Sequence, residues 1–166
     1  MGLKPVRIEK ILYATDLSES AVHAFSYAIS LGNLYGAGIT ILHVLSDLPI
    51  EPHVYNMIGQ DTWQRIRERH VDEVRHKLIG KQRDGMAMRE VLAAFSEGQG
   101  LVTDDILIER GDASDVIVET ARERSCDLIV MGTHGIGGIA ETLIGSTAKR
   151  VVRKSRIPVL IVRLPD

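Results

Sequence analysis

The chain is poor in aromatic residues, which make up 4% of its 166 positions. Its interior must therefore be built from Ile, Leu, Val and Ala. It has one cysteine, Cys126, which excludes an intrachain disulfide and fits a reducing compartment. It lacks a basic excess: 20 Lys and Arg stand against 22 Asp and Glu, a formal net charge of -2. That balance argues against a general nucleic-acid binder. No apolar run approaches the ~18 residues of a membrane-spanning helix. The opening residues MGLKPVRIEKILYATD hold no signal-peptide core, so the cytoplasm is the expected compartment. No GxxxxGK followed by Ser or Thr occurs anywhere, which argues against a P-loop NTPase.

What remains is an ordinary globular composition, 45% hydrophobic and 25% charged, in a length that favours one domain. Such a domain buries roughly 70% of its unfolded surface, enough for a core without staples. The branched apolar run ending at Thr15 reads as a first strand over residues 8–15, buried on both faces. Ser18 or Ser20 can cap the helix after it. Ala21, Phe25, Ala28, Ile29 and Gly32 form that helix's inner face, and Gly36 and Gly38 stop it. A second strand follows over 39–44. Residues 46–60 read as a loop. Asp61 can cap a helix running to about residue 79, with Trp63, Ile66, Val74 and Leu78 inward. A second short helix over 88–95 is either an insertion or the continuation of a kinked first. Residues 103–109 read as the third strand. Gly111 then turns the chain, and Asp112 caps a helix with Asp115 in its first turn. A fourth strand over 128–131 leads to a glycine-rich loop. Beyond it come a helix with Ala148, Val151, Val152 and Ser155 on one face and a fifth strand, Val159–Val162, opened by Pro158. Alternating strands and helices predict an α/β fold, a single doubly wound domain with a five-stranded parallel sheet in the order 3-2-1-4-5.

The glycine-rich loop carries the chemistry. Gly132, Gly135, Gly137, Gly138 and Gly145 lie between a buried strand and a helix, and Ser146 and Thr147 follow at once. Glycine there lets a backbone approach an anion closely at the positive end of a helix. Residues 135–140 match the dinucleotide pattern GxGxxA. That pattern needs a later strand ending in an acid about 20 residues on, and no acid lies between Glu141 and Asp166. A third spacing fits better: Gly132, two residues, Gly135, nine residues, Gly145, then Ser146 and Thr147. Ser146 is a candidate N-cap, and its hydroxyl and that of Thr147 can donate to phosphate. Asp16 ends the first strand. In the order 3-2-1-4-5 it faces Gly132 across the topological switch point, where open α/β sheets bind ligands.

These residues resemble the universal stress protein family. The matching stretches are ILYATD, ITILHV, GDAS after the third strand, LIVMGTHG and GSTAKRVVRKSRIPVLIVR. The resemblance covers the chain except for about residues 47–101, a segment longer and less regular than is usual for the family. It implies an adenine nucleotide alpha hydrolase-like fold over 1–166 and ATP as the ligand, with AMP or ADP as alternatives and Mg²⁺ on the phosphates. It places Asp16 near adenine and ribose, with Ala14, Thr15, Val44 and Met131 around the base. Val44 and Met131 would be apolar core in any case. Gly132, His134, Gly135, Gly145, Ser146 and Thr147 complete the expected contacts. It also implies a homodimer paired through Val159–Val162.

Other polar residues read more simply. His134 has no nucleophile or acid placeable beside it, so a solvated loop histidine is favoured over a catalytic one. His43 reads as a satisfied histidine at a strand end. His70 and His76 are six apart, the wrong spacing for a helical metal pair. The run Lys149, Arg150, Arg153, Lys154 and Arg156 favours the helix dipole rather than a nucleic-acid patch, because no stacking aromatics accompany it. With no assignable base or metal-holding acid, hydrolysis is expected to be slow at most. The expected function is ATP-dependent regulation in a stress response, with a slow ATPase and a nucleotide-free dimeric scaffold as alternatives.

Overall fold

The computed structural model describes residues 5–45, 103–133 and 144–165, together with Asp61, Gln64, Arg65, Glu68, Arg69 and Asp72. The chain divides into two compact units. One comprises Met1–Leu45 and Gln99–Asp166, the other Ser46–Gly98.

The first unit contains, in order, β1 (Lys10–Thr15), α1 (Glu19–Tyr35), β2 (Gly38–Leu45), β3 (Thr103–Arg110), α2 (Ala113–Glu123), β4 (Leu128–Gly132), α3 (Ser146–Lys154) and β5 (Val159–Val162). The five strands form one sheet in the order β3-β2-β1-β4-β5, and every pair is parallel. β1 begins two residues later than its apolar run suggests. The Asp127 carboxylate takes the amides of Glu9 and Lys10, which end the ladder there.

Side chains alternate across β1 and so sort the helices to opposite faces. Leu12 and Ala14 join a core with Leu42, Ile129 and Met131 of the sheet, Ile117 and Ala121 of α2, and Ala148 and Val151 of α3. Tyr13 points the other way. Its ring lies 4.7 Å from that of Phe25 in α1, and its hydroxyl donates to the Ala21 carbonyl at 2.6 Å. Burial raises the Tyr13 pKa far above the ordinary phenol value, so the side chain stays a neutral donor.

Ser18, not Ser20, caps α1 by accepting the Ala21 amide. Gly36 ends it in the left-handed region, at φ 65°. Asp112 caps α2 by accepting the amides of Ser114 and Asp115. Ser155 closes α3. Val152 departs from the expected inner face: it is 50% exposed, because it sits about 100° round the helix from Val151.

Of the second unit, the six described residues are helical and all exposed. Their spacing traces one solvent face of the helix expected from residue 61. Asp61 is itself helical rather than a cap. Its carbonyl accepts from Arg65 Nε, and Gln64 donates to Glu68. The apolar residues assigned to that helix's inner face, and the short helix over 88–95, lie outside the described residues.

At the end of α2, Ser125 sits at φ 54°. Left-handed backbone costs a non-glycine residue about 1 kcal/mol. Ser125→Gly is therefore expected to raise unfolding stability by up to about 1 kcal/mol, measured as a higher urea midpoint at constant m-value.

Candidate nucleotide site at the switch point

β1 and β4 are neighbours, so the sheet's topological switch falls between their carboxyl ends. Ala14 lies opposite Met131 in the register. Ala14 and Met131 belong to the core on the α2–α3 face, and Val44 packs against that core from β2. These three residues therefore share one face. Ala148, in the first turn of α3, lies in the same cluster, and Ile144 packs against it.

Thr15 and Gly132 lie on the opposite, α1 side. Gly132 has a packing reason for its missing side chain. A Cβ there would fall 2.5 Å from Ser20 Oγ and within 3.0 Å of Ser20 backbone atoms. α1 thus rests directly on the end of β4. The Ser20 hydroxyl is buried and has no hydrogen-bond partner among the described residues.

The loop from β1 to α1 is held by its own polar groups. Thr15 Oγ1 accepts the Leu17 amide at 3.1 Å, and Asp16 Oδ1 accepts the Ser18 amide at 3.0 Å. Between them Leu17 sits at φ 66°. A leucine held there carries strain of order 1 kcal/mol, sustained by the bonds on either side. Nothing in the residue type foretells it. Asp16 is partly exposed just beyond the carboxyl end of β1, and its bond to the Ser18 amide makes it a turn residue whatever else it does.

α3 begins one residue earlier than its sequence indicates. Gly145 is the N-cap, in extended backbone (φ -57°, ψ 157°), and Ser146 is the first helical residue. The physical cause is the bonding of Gly145 itself. Its amide donates to the Thr133 carbonyl at 2.7 Å, and its carbonyl accepts from Lys149 at 3.0 Å. No side chain caps this turn, and no acid lies in it. Ser146 is exposed and Thr147 half-buried. His134 and Gly135 lie outside the described residues.

Behind the site, α2 and α3 are tied by charge. Arg150 pairs with Asp112 at 2.9 Å, and Lys154 reaches both Asp115 and Ser114. Two cations of the basic run are thereby committed to the GDAS turn, which spacing alone did not reveal. The pairs are half-exposed, so each contributes little by itself. The Ser114 hydroxyl, the Asp115 amide and Arg150 together hold the Asp112 carboxyl down to about 2.

An open parallel α/β sheet with a glycine-entered helix beside its switch point is a ligand-binding class of fold. The profile described as the universal stress protein family matches residues 7–163, and the chain belongs to that family. Universal stress protein MJ0577 of Methanocaldococcus jannaschii is 30% identical over 160 residues, covering 95% of this chain and 96% of that one. The solved structure of MJ0577 matches with a TM-score of 0.74 at 26% identity, covering 97% of this chain and 99% of that one. UspA from Lactobacillus plantarum shares the fold at 21% identity, with a TM-score of 0.73 and 96% and 100% covered. A universal stress protein in complex with cAMP shares it at 24% identity, with a TM-score of 0.55 and 95% and 98% covered. The family match runs from one side of residues 47–101 to the other, and the near-complete mutual coverage with MJ0577 means that protein is of comparable length.

Two outcomes follow from this geometry. Gly132→Ala forces a Cβ into Ser20 and is expected to cost about 1–3 kcal/mol in urea unfolding. The second concerns pH. Because the folded Asp112 pKa is depressed, its bonds contribute fully above the ordinary 3.8 and are lost as pH falls through about 2. Unfolding midpoints measured down this range should fall less steeply in Asp112→Asn than in the unsubstituted protein.

Proposed function

We propose that this protein binds an adenine nucleotide at the carboxyl edge between β1 and β4 and uses it to regulate partner or self association in a stress response. The observation that carries this reading is the entry to α3. Gly145 stands at its N-cap with no capping side chain and no acid in the first turn. The positive helix end therefore meets no negative side chain of its own turn, which suits an anion. Beside it, Ala14, Val44 and Met131 supply an apolar floor for a base, and Asp16 stands at the rim for ribose. Ser146 and Thr147 hydroxyls, with His134 and Gly135 of the preceding loop, complete the phosphate side.

ATP is the preferred ligand, with AMP and ADP as alternatives. One protein of the same fold is described in complex with cAMP, which makes that nucleotide a further candidate. Among the described residues no group of three His, Cys, Asp or Glu side chains could hold a metal. In this reading Mg²⁺ rides on the phosphates. β5 is one edge of the sheet, and Val159, Leu160 and Ile161 are only half-buried there. That apolar edge calls for cover, and a second copy paired along it would supply it.

The test uses Gly145→Val. The φ and ψ of Gly145 are open to any residue, so the backbone needs no glycine for conformation. Valine is a poorer N-cap than glycine and should lower stability by about 1 kcal/mol in urea while leaving the protein folded. It should weaken ATP binding tenfold or more by calorimetry, since its branched side chain stands where phosphate would approach. Unchanged affinity, or a native protein that releases no nucleotide on denaturation and shows no thermal shift with ATP, ADP, AMP or cAMP, sinks the reading. Sedimentation of the native protein decides the dimer.

A further inference from the structure

His43 lies beside Thr15 in the β1–β2 register, on the α1 face. It is 8% exposed, and its Nδ1 lies 2.8 Å from the Thr15 carbonyl oxygen. A carbonyl can only accept, so Nδ1 carries the hydrogen and donates. The bond falls where β1 ends and its chain turns into the loop. From Thr15 the restraint passes along the loop. Thr15 Oγ1 holds the Leu17 amide, Leu17 is pinned in the left-handed region, and Asp16 Oδ1 holds the Ser18 amide that opens α1. Asp16 therefore sits in a segment fixed at both ends, with a ring from the neighbouring strand as the outer anchor. Releasing the Thr15 carbonyl frees the peptide plane that precedes Asp16, and the unfavourable φ of Leu17 then has less to sustain it.

We propose that His43 is a positioning residue of the switch-point site. It never touches the ligand; its bond to Thr15 fixes the loop that presents Asp16. The ligand half of this inference rests on the nucleotide reading given above, whereas the loop half does not. A rigid loop loses less freedom when a ligand binds, so the anchor favours affinity through pre-organisation.

Two readouts test it. In the protein without nucleotide, His43→Ala should speed amide exchange at Leu17 and Ser18 about tenfold, the worth of one hydrogen bond. His43→Asn, whose amide nitrogen falls close to the position of the ring Nδ1, should return exchange to within about threefold of the unsubstituted protein. ATP affinity by calorimetry should follow the same order, a loss of about tenfold in the alanine variant and recovery in the asparagine variant. Equal exchange in all three proteins overturns the loop step. Altered exchange with equal affinity overturns the link to the ligand. Asparagine no better than alanine overturns the hydrogen bond as the cause. If the unsubstituted protein binds no adenine nucleotide, the nucleotide reading and the ligand half fail together, and exchange still decides the loop half. Should His43→Ala not fold, His43→Phe replaces it, since phenylalanine fills the ring's volume but has no ring N–H to donate. Faster exchange at Leu17 and Ser18 with weaker ATP binding is the expected result, and unchanged exchange and affinity overturn the proposal.

Discussion

β1 and β4 pair in parallel at the centre of the sheet although more than a hundred residues separate them, with Ile11 opposite Leu128 and Ala14 opposite Met131. Most other features depend on that pairing. From β1 the chain steps outward to β2 and β3, then returns past its starting point to β4 and β5. Right-handed crossovers running in opposite directions must leave their helices on opposite faces. α1 accordingly covers one face, and α2 and α3 the other. The helix after β1 and the helix after β4 therefore lie on opposite faces of the switch point.

The two faces differ beside that switch point. On the α1 face the described residues near it are held by close contact or hydrogen bonding. Ser20 lies against Gly132, His43 grips Thr15, and Tyr13 is bonded to α1. On the other face Ala14, Val44 and Met131 are apolar and pack toward the start of α3. The charged tie between α2 and α3 joins the Asp112 turn to the later turns of α3. One face thus holds the β1–α1 loop in place, while the other is apolar and packs toward the first turn of α3.

The sheet was legible because most of its strands are continuous branched runs and the chain carries its turn and cap signals openly. Gly36, Gly111 and Asp112 all act where their chemistry places them. Boundaries were harder to read. Ser146 is a better capping type than glycine, yet Gly145 caps, because its amide and carbonyl are already committed to Thr133 and Lys149. Val152 is apolar but faces out, since α3 is short and its inner stripe narrow. Least legible were contacts that join distant parts of the chain. Propensity favours no left-handed turn at Leu17, and Arg150 meets Asp112 only after the sheet has brought α2 and α3 together. Periodicity describes which way a side chain points and says nothing of what it will meet there.

The glycines around the switch illustrate the point with most bearing on function. They look alike in sequence, as one spaced pattern. In the structure they have different causes. Gly132 is required by a helix resting on it, so its presence would be explained with no ligand at all. Gly145 takes a backbone conformation that any residue can adopt, and its neighbours already satisfy its amide and carbonyl. Neither conformation nor its own hydrogen bonding calls for glycine there. Glycine is itself a favourable residue at a helix N-cap, so Gly145 has a local cause of a different kind from that of Gly132. One glycine answers to packing between elements and the other to the start of a helix, although the pattern weighs them equally.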